Sequence, residues 1–202
     1  MTRKFKSIGL ALVAIFAMSA LSASAASAAE FHSTSAGSTK ISASQTTTHV
    51  FTSTAGEVTC EKATFTGNQT TATAASIEVT PVYSGCHIII FGSTISATVA
   101  HNECKYKLYS NGTADIICPA GKAITVTGAG CKITVTPQTG LKSVSYTNSG
   151  TGISIAANLS GIHYHHEGFT CGTGTGTNGT YKGNTLASGT TTAGAAVTIS
   201  YS

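Results

Sequence analysis

The chain has 202 residues, only 9% of them charged, with six cysteines and no tryptophan. Its formal charge of +4 drops to about +1 once Arg3, Lys4 and Lys6 are set aside, and no arginine occurs after residue 3. That balance excludes the dense Lys/Arg face used to neutralise phosphates, so no nucleic-acid partner is expected.

Arg3, Lys4 and Lys6 precede an apolar run from Ile8 to Met18 and a small-residue tract from Ser19 to Ala29. This basic, apolar, small-residue order predicts a cleavable signal peptide over residues 1–29, cut after Ala28 or Ala29, with Ala25 a third option. The run is shorter than the ~20 residues a membrane helix needs. The first cysteine, Cys60, lies far from the cut, and no second apolar run comes near Ser202. A secreted or cell-surface protein with no membrane insertion after cleavage is therefore expected. Residues 30–202 suit one domain.

The mature segment lacks apolar residues at helical spacing, whereas Val, Ile and Thr alternate in short runs between Gly, Asn and Ser. This predicts an all-β fold, an antiparallel sandwich or barrel of many hairpin-connected strands. Residues 30–44 read as a loose arm or a weak first strand. Strands are expected near 47–53, 57–66, 75–83, 87–91, 94–100, 104–109 and 113–118. Tyr109-Ser110-Asn111-Gly112-Thr113 reads as a three-residue hairpin loop with Gly112 left-handed. Closing on Tyr109 and Thr113 sets Cys104 opposite Cys118 at a non-hydrogen-bonded site, where side chains approach most closely.

Further along, Ile124-Thr125-Val126-Thr127 and Ile133-Thr134-Val135-Thr136 are near copies. A turn at Ala129-Gly130 sets Val126 opposite Ile133 and Ile124 opposite Val135. A turn at Ser149-Gly150 would set Tyr146 opposite Ile153 and Val144 opposite Ile155. Strands near 161–166, 179–187 and 195–201 complete the set, and the Gly-Thr repeat from Cys171 to Asn178 reads as a mobile loop.

An even cysteine count in an exported chain predicts three disulfides, and no C-x-x-C pair argues for a zinc site built from these cysteines. Cys60 with Cys86 and Cys131 with Cys171 follow Cys104–Cys118 by neighbourhood. The runs Val58-Thr59-Cys60, Tyr83-Ser84-Gly85-Cys86, Ile116-Ile117-Cys118-Pro119-Ala120-Gly121-Lys122 and Gly179-Thr180-Tyr181-Lys182-Gly183 resemble small secreted cysteine-containing β-rich proteins of actinobacteria. The resemblance implies the fold and the compartment, and carries no activity and no catalytic residue.

His163-Tyr164-His165-His166-Glu167 is the sharpest chemical feature. On a strand, His163 and His165 share one face about 6.6 Å apart. They could hold Zn or Cu if His87, His101, Glu103 or Glu167 supplied a third ligand. With Ile162 and Tyr164 on the core side, the same pair reads as an ordinary wet strand face, which is the preferred reading. Asp115 is the only aspartate and no G-x-S-x-G elbow occurs, so a nucleophilic triad is not supported. Glu61 and Glu78 sit too far apart in register for paired-carboxylate chemistry. Gly174 to Gly179 matches G-x-G-x-x-G but lacks the following helix and acidic residue, so no dinucleotide cofactor is expected. Thr125, Thr127, Thr134 and Thr136 make too few ranks for an ice-binding face, and the sequons at Asn68, Asn111, Asn158 and Asn178 read as turns. The leading expectation is a secreted or cell-surface, non-enzymatic β-sandwich, a binding or structural module whose partner is an envelope polymer, glycan or protein. The alternative is a metal-binding protein or metal-assisted hydrolase centred on His163 and His165.

Overall fold

The computed structural model describes residues 28–128 and 130–202. The signal-like segment up to residue 27, and Ala129 of one predicted turn, lie outside the described residues. Seventeen strands are formed among the described residues, and all of their pairings are antiparallel. The β-branched and alternating composition explains this outcome. Along β2 (Thr39–Gln45), Thr39, Ile41 and Ala43 are buried while Lys40, Ser42 and Ser44 are exposed.

Of the two all-β architectures, the chain adopts the barrel. β4 (Gly56–Gln69) pairs with β6 (Ser76–Ile90) over nearly its whole length. β6 then carries two partners end to end on its other edge, β7 (Ser93–Ala100) and β8 (Lys105–Tyr109). β8 pairs with β9 (Thr113–Ile117), and β7 with β10 (Ile124–Gly128). The next position is filled by β11 (Cys131–Val135), β12 (Gln138–Lys142) and β13 (Val144–Ser149). β14 (Gly152–Gly168) pairs with β11 and β13 on one edge and with β15 (Gly174–Thr191) on the other. β15 finally meets β2 and β3 (His49–Ser53), which in turn pair with β4. The pairings thus return to their start through eight consecutive hairpin-connected positions. The ring closes through β10, β11 and β14, while in the other half β12 pairs only with β9 and β13 only with β14. Closure thus removes most, not all, of the exposed edge that is the usual liability of a sheet.

The interior holds the apolar core, including Ile88, Ile133 and Ile153, each at most 1% exposed. Near mid-length several strands change which side chains point inward. In β4 the inward set passes from Val58 and Cys60 to Ala63 and Phe65, and in β14 from Leu159 to Ile162 and Tyr164. The β14 change coincides with Gly161 at φ +74° and with a register shift, and the one in β6 with Gly85 at φ +60°. One irregular residue moves all later side chains to the other face. β14 does this with a register shift, whereas β4 and β6 switch together at Glu61 and Gly85 without losing register, and these changes mark a waist in the barrel.

A three-stranded sheet covers one end: β1 (Phe31–Ser33) lies between β5 (Thr73–Ala74) and β17 (Ile199–Tyr201). The short β16 (Ala196–Val197) pairs with the end of β15. Phe31 is fully buried against Tyr146, ring centroids 4.9 Å apart, and the Gln69 amide donates to the Phe31 carbonyl. Residues 30–44 are therefore no loose arm. They supply β1 and β2, held by pairings with the far C-terminal end of the chain.

The disulfides are Cys60–Cys86, Cys104–Cys118 and Cys131–Cys171. The β8–β9 register matches the expected three-residue loop, with Gly112 at φ +83° and Cys104 and Cys118 Cα atoms 4.1 Å apart. Val126 faces Ile133 and Ile124 faces Val135, as anticipated. The next hairpin differs: Tyr146 faces Ile155 and Val144 faces Ala157. Its turn is Gly150-Thr151, not Ser149-Gly150, because Gly150 (φ +59°) takes the first central position, where a two-residue hairpin turn demands positive φ. The Gly-Thr repeat is also corrected, since Gly174 to Asn178 belong to β15, and Gly174, Thr175 and Gly176 pair with β14. Gly176 permits this, as a Cβ there would lie 2.3 Å from the Tyr164 ring.

Candidate functional site: a cavity at the barrel waist

At the waist the interior is not filled, and a cavity of about 130 Å³ remains. Every barrel position contributes to its lining, which is mainly apolar and includes Phe51, Phe65, Val99, Leu108, Val126 and Leu159. Eight strands enclose an interior that either fills with side chains or holds one small ligand.

Besides buried Asp115 and Thr185, which also border the space, four polar-tipped rings interrupt this apolar wall: His49, Tyr83, Tyr106 and Tyr181. They come from β3, β6, β8 and β15 and touch only because the barrel closes. The Tyr83 hydroxyl lies 3.1 Å from that of Tyr106 and 2.9 Å from that of Tyr181. Tyr181 also bonds His49 Nδ1, and His49 Nε2 lies 3.3 Å from the Asn184 carbonyl. Proton positions follow from chemistry. The Asn184 carbonyl can only accept, so Nε2 carries the hydrogen. In the neutral ring Nδ1 then accepts the Tyr181 O–H. Tyr181 oxygen accepts from Tyr83, and Tyr83 oxygen from Tyr106, giving one directed chain.

Burial sets the electrostatics. Desolvation lowers the His49 pKa and so favours the neutral ring, partly opposed by its bond to Asn184. Desolvation also pushes Tyr106 up to about 12, and Tyr83 and Tyr181 well above 10. Although strands surround them, the three tyrosines keep some accessible surface, and all three border the cavity. The cluster thus offers neutral hydroxyls to an apolar space, a pattern suited to orienting a small molecule.

The sequence did not single out these four residues. A partial signal was available: Tyr83 is in phase with inward Val79 and Pro81, and Tyr106 with Leu108. A polar-tipped ring in the inward phase of a strand marks either a buried hydrogen bond or a site.

His163 and His165 project from the outer wall, opposite buried Ile162 and Tyr164. The strands flanking His165 present Thr134 and Thr175 at the same level, neither of which completes a histidine metal site. Its Nε2 lies 3.9 Å from the Glu167 carboxylate, which is also 3.2 Å from Lys132. His87 pairs across to Thr59 and Ser96 on β4 and β7, away from this row. His101 and Glu103 lie in the link between β7 and β8. No group of three or more His, Cys, Asp or Glu residues in metal-binding proximity occurs among the described residues.

Asp115 has a structural task. Its carboxylate accepts the Tyr109 hydroxyl at 2.8 Å and the Gly140 amide at 2.7 Å, pinning the bulge of β12. Glu78 faces Asn68 across the β4–β6 ladder, seven residues along β4 from Glu61, so the two carboxylates are indeed apart.

The class defined by this geometry is a closed, disulfide-bridged, antiparallel up-and-down barrel with a waist cavity. No known protein family, curated protein or solved structure matches the chain.

Proposed function

We propose that the protein is an exported, non-enzymatic binding module whose barrel interior receives a small molecule. The observation that carries this reading is the waist cavity, an apolar space entered by one ordered chain of hydroxyls. Three disulfides are consistent with an extracellular compartment. A rigid frame around a preformed space lowers the ordering cost of binding. An envelope polymer, glycan or protein would meet the outer wall, where Thr, Ser and Lys side chains face solvent.

The metal-site alternative rests on Glu167 beside His165, and it ranks second because Glu167 already pairs with Lys132. The test is thermal unfolding of the exported protein with fractionated extracts of the producing cells' envelope, with and without chelator. Stabilisation by an organic-soluble fraction, indifferent to chelator, supports the cavity reading. Stabilisation only by added metal, abolished by chelator, replaces it with the alternative.

A further inference from the structure

The hydroxyl chain has a direction, and the direction selects a ligand. His49 anchors one end, because its Nε2 hydrogen is committed to the Asn184 carbonyl and its Nδ1 can only accept. Each phenol has one hydrogen. Tyr181 gives its hydrogen to His49, Tyr83 to Tyr181, and Tyr106 to Tyr83. Any other arrangement leaves two oxygens facing each other without a proton at 2.9 Å or 3.1 Å. Tyr106 therefore ends the chain as an acceptor, with no hydrogen to offer an incoming group.

Size supplies the second constraint. A cavity of about 130 Å³ is close to the ~150 Å³ apolar cavity known to take up benzene in an engineered protein. Phe65 stands beside Tyr106, ring centroids 6.4 Å apart, and Leu108 and Val99 share the lining. That wall accommodates the faces and edges of one ring.

We infer that the waist cavity binds a single-ring apolar molecule carrying a hydroxyl, a phenol or small cyclic alcohol, which donates its O–H to Tyr106. The inference rests on the reading of the barrel as a small-molecule binder and adds the chemistry of the ligand. A ketone, ether or ester of the same size has no hydrogen to donate and is discriminated against. A site whose polar group is left unmatched rejects the near-isostere strongly.

Phenol, anisole and benzene are the probes, titrated calorimetrically into the exported protein and two variants. In the wild type, phenol should bind at least ten-fold more tightly than anisole or benzene. Tyr106→Phe should bring phenol down to the level of anisole while benzene is unchanged. Val99→Phe, which fills the space, should lose all three probes with its circular dichroism intact. Equal binding of phenol and anisole by the wild type overturns the donor assignment and leaves cavity binding standing. Failure of all three probes, alongside stabilisation by an envelope fraction, removes this ligand class and keeps the broader reading. Should Tyr106→Phe fail to fold, the wild-type ratio of phenol to anisole decides the matter alone.

Discussion

Gly183 makes room for His49: a Cβ on residue 183 would lie 2.6 Å from three atoms of the imidazole. The constraint is one of space. The ring can bond both Tyr181 and Asn184 only if the facing strand carries no side chain there.

Gly183→Ala should therefore destabilise the protein by about 1–3 kcal/mol, the usual cost of overpacking a filled site. In a His49→Ala background the same change should cost much less. Chemical denaturation of the two single variants and the double variant measures the coupling. Additive effects would show that the glycine serves something other than the ring.

The cluster also predicts how stability depends on pH. His49 is held below its ordinary value, so between the unfolded value of about 6.5 and the lower folded one, the unfolded chain binds more protons. Its contribution is complete above pH 6.5 and is lost as pH falls toward the folded pKa. The tyrosines act in the opposite sense. Their folded pKa values are raised, to about 12 for Tyr106, so their contribution is complete below pH 10 and is lost as pH rises beyond it. Melting temperatures of wild type and His49→Gln across pH 5–8 should show the acid slope weakened in the variant. Absorbance at the phenolate band should show delayed ionisation of the cluster in the folded protein.

The Cys104–Cys118 bridge closes a 14-residue separation, for which loop-closure entropy gives about 3 kcal/mol. The Cys104→Ala/Cys118→Ala variant should lose stability on that order by urea unfolding. Full reduction of the wild type should lower the melting temperature further, and an unchanged melt with six verified free thiols would contradict the bridges' role.

The outer histidines should matter little. His163→Ala/His165→Ala is expected to shift stability by less than about 0.5 kcal/mol, since neither side chain enters the core. Elemental analysis of the purified protein should find no stoichiometric metal. One Zn or Cu per chain, absent from the double variant, would promote the metal-binding reading.

Phe91 breaks the rule for its turn. It is 96% exposed and sits at φ +48°, followed by Gly92 at φ +80°, in the two-residue connection between β6 and β7. Two positive φ values favour Asn-Gly, and a bulky side chain in the first place is strained. Phe91→Asn should raise stability by about 0.5–1 kcal/mol. A loss on denaturation would mean that the exposed ring makes a stabilising contact in solution.

What the sequence determined by itself is what neighbours along the chain decide. The β10–β11 register, the β8–β9 loop with its bridge, and the outward stance of His163 and His165 all follow from side-chain alternation around short turns. The limits of that reasoning show at Ser149-Gly150, where two turns differing by one position both match apolar faces and only the glycine's backbone geometry chooses. Barrel closure was not legible, because β15 meets β2 through pairs such as Ala187 with Ala43, and no local pattern distinguishes this edge from any other. Residues 30–44 carry too few apolar groups to decide between a loose arm and a weak first strand, and pairing with β15, β4 and β17 decides for the strand. The His49–Tyr181 bond spans 132 residues of sequence. Contacts of that range depend on closure, bulges and the resulting phase of each strand, so the cavity and its hydroxyl chain belong to the tertiary structure alone.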